Sequence, residues 1–249
     1  MKKYIFFIVI LSLFGSVAAQ QQQKQNPSYN ENSKVLFGVF VGPSIDWFAP
    51  TSKAITRNNA KGGFIAGVNI DCSLHKNKTF YFSTGVLIRY LQGDLALENQ
   101  YLFNIFADTL VLPAVRNYQT TYLTIPTGVK FRIKPINNCV FLVKLGLYHN
   151  FKIGGNQVDK FSLPSEDETV SPKYFITTEK IKNQDASLFA ESGYLGLGFE
   201  YSFGKIGVFA HADYSCQFNY FSAKAKNNVT DAQFKSIVHS LHIFLGVLF

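Results

Sequence analysis

The sequence predicts an all-β protein, an eight-stranded antiparallel up-and-down transmembrane β-barrel, and three observations favour this fold. Segments of about ten or more residues recur with a two-residue hydrophobic period. The links between these segments alternate between short and long. The apolar face of each segment is free of charge through its middle. Aromatic residues form 16% of the chain and glycine occurs 18 times, a composition that favours strands over helices.

The N-terminal stretch MKKYIFFIVILSLFGSVAAQ has the layout of a secretory signal peptide. Two lysines precede an apolar run, and small residues lead to an expected cleavage after Ala19. The apolar run is shorter than the roughly 20 residues that a spanning helix needs. The polar, low-complexity residues that follow indicate a disordered spacer. We therefore expect a signal peptide (1–19), a polar N-terminal spacer (20–33) and the outer-membrane barrel (34–249).

Beyond the spacer, the period-two pattern predicts eight strands, each bounded by turn residues. In chain order they cover about 34–48, 61–74, 79–91, 118–133, 139–152, 186–203, 205–218 and 235–249. Pro126 lies inside the fourth strand and cannot donate a ladder hydrogen bond, so we expect a bulge or local irregularity there.

The links between the predicted strands follow a regular order. HKNK, KPINN and the residues around Gly204 make tight turns, whereas the other four links are long: about 49–60, 92–117, 153–185 and 219–234. Short and long alternate without exception. A β-sandwich has no reason to keep this order, but a barrel in an outer membrane does, with short periplasmic turns and long external loops.

The two faces of each strand differ in charge. The second strand, for example, places Phe64, Val68 and Ile70 on one face and Asn69 and Asp71 on the other. A soluble barrel would turn the apolar face inward. Here that choice would expose charges to lipid, at about 2–4 kcal/mol for each Lys or Arg near the midplane. We therefore expect the charged face to line the lumen, where both signs can pair: Asp71, Arg89, Lys130, Arg132, Lys144, Glu200, His211 and Asp213.

Aromatic residues gather near the strand ends, as is typical at a membrane–water interface. The last strand ends on Phe249, and its pairing with the first strand would remove the sheet edges. The expected periplasmic girdle comprises Phe80, Phe131, Phe141, Phe203 and Phe249. The expected outer girdle comprises Trp47, Tyr90, Tyr118, Phe218 and Tyr220.

The stretch YLTIPTGVKFR, residues 122–132, resembles the mid-chain strand of the PorT-like outer-membrane β-barrel family of Bacteroidota-type bacteria. The signal peptide and the terminal Phe249 fit the same family. The resemblance implies an eight-stranded barrel inserted by the outer-membrane assembly machinery. It also implies that this machinery recognises the C-terminal strand, with Leu245, Val247 and Phe249 as the insertion signal. Members of the wider family include a component of a protein secretion and gliding apparatus. The resemblance supplies no catalytic residues.

One cluster could carry enzymatic chemistry. Ser240 and His242 share the inward face of the last strand, and His211 and Asp213 share that of its neighbour. A serine hydrolase needs a nucleophile, a base and an orienting carboxylate within hydrogen-bond reach. A lipid-modifying enzyme of the outer membrane is therefore an alternative function, although a polar network pairing lumen groups explains the same residues. A small selective pore is a weaker alternative, because side chains fill an eight-stranded interior.

We expect a structural or adhesive function, or an accessory role in an envelope complex that could serve protein secretion. We do not expect enzymatic activity. The expected location is the cell outer membrane, and the expected partners are outer-membrane lipid, the assembly machinery and an envelope protein bound through the external loops. The formal net charge is +8, but the basic residues are scattered, so nucleic acid is not expected as a partner. We expect no cofactor, and we expect Cys72, Cys139 and Cys216 to be free thiols.

Overall fold

A computed structural model describes residues 34–53, 55–74, 79–103, 109–133, 138–162, 174–181, 186–203, 206–221 and 234–249. These residues form nine strands: β1 (Val35–Pro50), β2 (Ile55–Ser73), β3 (Phe80–Phe103), β4 (Thr109–Arg132), β5 (Cys139–Ser162), β6 (Tyr174–Lys180), β7 (Phe189–Phe203), β8 (Ile206–Gln217) and β9 (Ser236–Leu248). No helix in these ranges is long and apolar enough to cross a membrane. The expected signal peptide and spacer lie outside the described residues.

Eight of the strands close into an antiparallel barrel, which confirms the predicted fold class. Each of β1 to β5 pairs with its neighbour in sequence, β5 pairs with β7, and β9 pairs with both β8 and β1. The closing seam runs to the C-terminal residue, because Phe249 N donates to Phe37 O at 2.8 Å and Phe37 N donates to Phe249 O at 3.3 Å. Closure at this seam leaves the eight-stranded wall without an open edge.

The barrel wall alternates between exposed apolar and buried side chains. In β1 the odd positions from Val35 to Ile45 are exposed and the even positions from Leu36 to Asp46 are buried. Leu145 and Leu197 are 63% and 62% exposed, whereas many polar side chains of the opposite face are less than 10% exposed. This distribution is the inverse of a soluble protein and suits a wall surrounded by hydrocarbon.

Several strands are longer than the sequence pattern predicted. The structure starts β2 at Ile55 and β4 at Thr109, and it continues β3 to Phe103 and β5 to Ser162. The expected loop at 153–185 contains a ninth strand, β6, which pairs with β5 from Asn156 to Ser162. The prediction of long external loops was therefore wrong for most of 49–60 and of 92–117, and for part of 153–185.

The physical reason for this error is the change of solvent above the membrane. Lipid forces the outward face to be apolar, so the period of two is clear within the bilayer. Above it both faces can be polar, and stretches such as Gln92–Asp94 lose the alternation while their backbones still pair. Asp94, for example, remains opposite Asn117 in the ladder. Backbone hydrogen bonds, which side-chain pattern does not report, continue the strands.

One further expectation needs correction, and another is confirmed in part. Tyr118 does not belong to an outer girdle: its side chain is fully buried and packs 5.6 Å from Phe48 and 5.1 Å from Phe221, measured between ring centroids. At Pro126 the structure has the expected local irregularity but no bulge. The β3–β4 pairs stop at Thr84↔Thr127 and resume at Leu87↔Thr124 in the same register, so the ladder is interrupted but not shifted.

Candidate functional site

The barrel interior holds a charge cluster in its periplasmic half. Asp71 accepts hydrogen bonds from Lys130 Nζ at 2.7 Å, Ser83 Oγ at 2.6 Å and Asn69 Nδ2 at 3.1 Å. Lys130 also contacts Glu200, and Glu200 Oε2 lies 2.8 Å from Arg132 Nη2. Two carboxylates thus meet two cations, and this balance is what makes charges tolerable in a buried site.

A second ion pair lies nearer the outer end of the interior. Arg89 Nη2 donates to Asp46 Oδ1 at 2.9 Å, and Ser44 Oγ donates to Asp46 Oδ2 at 3.0 Å. Arg89 also donates to Ser240 Oγ. Asp46 was missing from the predicted lumen set, although it shares the even-numbered face of β1 with Phe40. That shared period is the signal that would have identified it.

The third polar group surrounds Asp213. Tyr148 donates its hydroxyl hydrogen to Asp213 Oδ2 at 2.6 Å, and His211 Nε2 lies 3.8 Å from Asp213 Oδ1. Lys144 Nζ lies 3.4 Å from the same His211 nitrogen. All eight predicted lumen residues therefore lie in polar contacts of the interior, in three groups rather than one continuous network.

The structure does not bring the candidate hydrolase residues into a relay. Ser240 lies opposite Ser215 and His242 opposite Asp213 in the β8–β9 ladder. The Ser240 hydroxyl accepts from Arg89, whereas His242 Nε2 lies 3.2 Å from Ser215 Oγ. His242 Nδ1 has no hydrogen-bond partner among the described residues, so no carboxylate orients this ring. Ser240, His242 and Asp213 are fully buried, which removes them from any substrate.

The interior is also filled by apolar and aromatic side chains. One buried cluster around the middle comprises Phe40, Ile65, Leu87, Tyr148, Tyr194, Phe209, Phe244 and Leu248. A cavity lined by Lys144, Tyr194 and His211 measures about 20 Å³, room for a single water molecule. Among the described residues, this packing gives a solid barrel rather than an aqueous channel.

The outer parts of β2 to β6 continue as a five-stranded sheet. β2 pairs with β3 as far as Ile55↔Leu97, and β5 pairs with both β4 and β6. β1 and β7 do not follow them, since their last pairs with β2 and β5 are Asp46↔Lys61 and Phe151↔Phe189. The sheet therefore stands above one side of the barrel only; we call it the outer sheet.

One face of the outer sheet is buried by an apolar cluster. Phe221 and Phe234, which flank the long link between β8 and β9, pack against it together with Ala186. The cluster comprises Phe48, Ile55, Leu91, Leu95, Leu97, Ala114, Tyr118, Tyr122, Phe161, Ala186, Phe221, Phe234 and Val238. These contacts pack the outer sheet against Phe48 of β1 and Val238 of β9.

The outer sheet carries its own ion pair, which the sequence did not reveal. Arg116 donates to both oxygens of Asp159, from Nε at 2.7 Å and from Nη2 at 2.6 Å. Burial acts to lower the pKa of Arg116, but the hydrogen bonds to Asp159 outweigh it and the pKa is raised above the usual arginine value. A bidentate, mostly buried pair of this kind fixes the register of β4 against β5.

A closed eight-stranded barrel with an apolar exterior and a charge-paired, filled interior defines a small integral β-barrel protein of the outer membrane. The chain belongs to the outer membrane protein beta-barrel domain family, whose model matches residues 18–220. No curated protein matches the sequence at a significant level.

Several solved outer-membrane barrels are similar to this chain in fold. Ail, the attachment invasion locus protein of Yersinia pestis, shares 12% identity over 87% of this chain and 100% of its own, with a TM-score of 0.33. Neisserial surface protein A shares 10% identity over 85% and 95%, with a TM-score of 0.41. OprG from Pseudomonas aeruginosa shares 9% over 87% and 96%, with a TM-score of 0.31.

Proposed function

We propose that this protein is a non-enzymatic outer-membrane scaffold that binds an envelope or extracellular protein through its outer sheet. The observation that carries this proposal is the length of the strands. β3, β4 and β5 each contain 24 residues, whereas about 9–11 residues cross a bilayer. More than half of each strand is therefore available outside the lipid. The filled interior and the dispersed Ser240, His242 and Asp213 contacts favour this function over a pore or a hydrolase.

The free edge of β6 is the proposed contact point. β6 pairs on one side with β5, and no other described strand pairs with it. Phe175 and Ile176 are 46% and 59% exposed on its two faces. An open edge with exposed apolar residues is a template for an added strand from another chain. We therefore infer that the partner contributes an extended segment that pairs with Tyr174–Lys180.

The finer family assignment is part of the proposal. The resemblance of YLTIPTGVKFR to the PorT-like barrels supports an accessory role linked to protein secretion. The proposed insertion signal for the assembly machinery is the set Leu245, Val247 and Phe249; support for it comes from the outward exposure of Leu245 and Phe249, at 56% and 53%. The proposed location of the external contact is independent of that signal.

A detergent pull-down from native membranes, followed by mass spectrometry, tests the proposed function. The wild-type protein should retain a stable stoichiometric partner. Ile176→Lys should lose it, because a charge on an edge strand opposes strand addition. The matched control is Asn59→Lys, which places the same charge on an exposed position at the opposite edge of the outer sheet. Retention of the partner by Ile176→Lys, or absence of any partner on the wild type, contradicts the proposal.

A second variant separates the sheet edge from the tip of the neighbouring hairpin. Leu97 lies opposite Ala114 in the β3–β4 ladder, so residues 98–113 can be replaced by Asn-Gly, which favours a two-residue hairpin turn. The described apolar cluster, including Leu97 and Ala114, is kept. If β6 is the contact, this shortened hairpin retains the partner; if the hairpin tip is the contact, the partner is lost and the β6 assignment is wrong.

A further inference from the structure

A chain of three polar side chains crosses the lipid-facing wall of the barrel. His149 Nε2 lies 3.0 Å from Thr127 Oγ1, and His149 Nδ1 lies 3.2 Å from Glu191 Oε1. The three residues come from β4, β5 and β7, neighbours in the wall. Tyr148 and Ala190, which precede His149 and Glu191, are buried in the interior. The side chains of His149 and Glu191 therefore point outward.

The proton positions in this chain follow from the chemistry of its ends. A carboxylate only accepts hydrogen bonds, so His149 Nδ1 donates to Glu191, and the Thr127 hydroxyl, which can donate or accept, pairs with Nε2. Both ring nitrogens of His149 are thereby held in contacts within the wall. Glu191 uses one oxygen, Oε1, for this contact. Its second oxygen has no recorded partner among the described residues, and the side chain is 42% exposed. A negative charge with a free oxygen therefore stands at the outer end of the chain.

The surroundings place Glu191 at the level of the lipid headgroups. Phe151 on β5 and Phe189 on β7 lie two residues further out than His149 and Glu191. Their ring centroids are 5.1 Å apart. Phe218 N donates to Glu191 O at 2.8 Å, and the Phe218 side chain is 63% exposed. Exposed aromatic rings of this kind mark the membrane–water interface. Towards the periplasm the same face of β7 is apolar, with Leu195 and Leu197 exposed.

We propose that Glu191, supported by His149 and Thr127, binds the primary ammonium group of an outer-leaflet lipid, as in an ethanolamine headgroup. An ammonium group donates hydrogen bonds to the free carboxylate oxygen, and the neighbouring Phe rings accept its charge over their faces. A quaternary choline group has no hydrogen to donate, and an anionic headgroup is repelled by Glu191. This site faces lipid, whereas the proposed protein contact lies on the outer sheet, so the two proposals stand independently.

Hydrolysis is a poorer use of the same geometry. A hydroxyl, an imidazole and a carboxylate in this order form a nucleophile relay, but acyl transfer also needs donors for the oxyanion. Thr127 lies within both ladders, opposite Thr84 and Leu147, and the preceding residue, Pro126, has no N–H. Pro126 therefore supplies no backbone donor for an oxyanion beside Thr127. Lipid binding needs only the exposed carboxylate.

Lipid retention measured by native mass spectrometry tests this inference. The folded protein is equilibrated in mixed micelles that contain equal amounts of phosphatidylethanolamine and phosphatidylcholine. We expect the wild type to retain about fivefold more phosphatidylethanolamine, the size of preference that a partly exposed ion pair supports. Glu191→Gln should lose the preference. Glu179→Gln, the matched control on β6, should keep it.

Two additional readings make the result decisive. Heat-dependent migration on SDS gels reports whether each variant contains a folded barrel. In micelles that also contain an equal amount of phosphatidylglycerol, Glu191→Lys should turn the preference towards that lipid, because residue 191 becomes cationic. Equal retention of the ethanolamine and choline lipids by the wild type would overturn the inference. An undiminished ethanolamine preference in folded Glu191→Gln would overturn it as well.

Discussion

Arg89 on β3 and Asp46 on β1 form an ion pair at 2.9 Å that passes over the intervening strand β2. Their side chains are 4% and 0% exposed. Gly63 on β2 lies beneath the pair, and a Cβ atom at this glycine would come within 2.5 Å of Asp46 Oδ2. The pair thus connects strands that do not share backbone hydrogen bonds, and it depends on the absence of a side chain between them.

Removal of one member of this pair should strongly destabilise the barrel. Arg89→Met leaves the Asp46 carboxylate buried without its cation, which costs about 3–5 kcal/mol of unfolding free energy. Urea unfolding in micelles, followed through the fluorescence of the single Trp47, measures the loss. The double variant Arg89→Met, Asp46→Leu should recover most of it. A loss below about 1 kcal/mol in the single variant would mean that the pair is not buried as described.

Gly63 and Gly62 offer a matched comparison on adjacent residues. Gly63→Ala should disrupt the contact of Asp46 with Ser44 and lower stability by about 1–3 kcal/mol, the usual range for an overpacked interior. A Cβ atom at Gly62 meets nothing within 4 Å, so Gly62→Ala should have almost no effect. The same urea titration measures both variants. Equal effects of the two substitutions would show that the space above Gly63 is not occupied by the pair.

Ser240→Ala should alter stability but not lipid chemistry. The substitution removes an acceptor from Arg89, and leaving a buried donor without a partner costs about 1–3 kcal/mol. Lipid A and phospholipid profiles of cells carrying the variant should match those of the wild type. Accumulation of an unmodified lipid in Ser240→Ala cells, with the barrel still folded, would restore the hydrolase interpretation.

Arg116→Ala should loosen the outer sheet and leave the membrane barrel intact. Because pairing with Asp159 raises the pKa of Arg116, the guanidinium keeps its charge at all ordinary pH values, and the stabilisation is fully present near neutral pH. Loss of the pair should speed proteolysis within 109–116 and 156–162, while heat-dependent gel migration of the barrel is unchanged. The comparison is Lys61→Ala, whose pair with Asp94 is more exposed and contributes less. Equal proteolysis of both variants contradicts the prediction.

The sequence predicted the parts of the fold that lipid constrains. Hydrocarbon tolerates only apolar side chains, so the lipid-facing residues of β2 (Phe64, Val68 and Ile70) alternate with the polar residues Asn69 and Asp71. This alternation predicted which face of β2 points outward. Tyr118 was assigned to the wrong face because it was judged by its place near a strand end. Tyr118 lies on the same face of β4 as Thr120, Tyr122 and Thr124, which are all buried. The two-residue period of the strand therefore places the Tyr118 side chain in the interior.

The candidate sites were harder to predict, since they depend on register. Ser240 and His242 share a face, but only the ladder shows that Ser215 and Asp213 lie opposite them and that Arg89 reaches Ser240 from β3. The contacts of Thr127 and Glu191 with His149 join residues that are 22 and 42 positions apart in the sequence. Residue composition and the spacing of residues in the sequence do not predict such a contact, because it depends on the stagger of neighbouring strands around the closed barrel.

Tryptophan scanning along β7 tests most directly whether the apolar face meets lipid. In a Trp47→Phe background, single tryptophans replace Leu195 and Leu197, which point outward, and Tyr194, which points inward. Lipids with brominated acyl chains should quench the tryptophans at 195 and 197 several-fold more strongly than the one at 194. Equal quenching at all three positions, or stronger quenching at 194, would contradict the assignment of the two faces and the fold that depends on it.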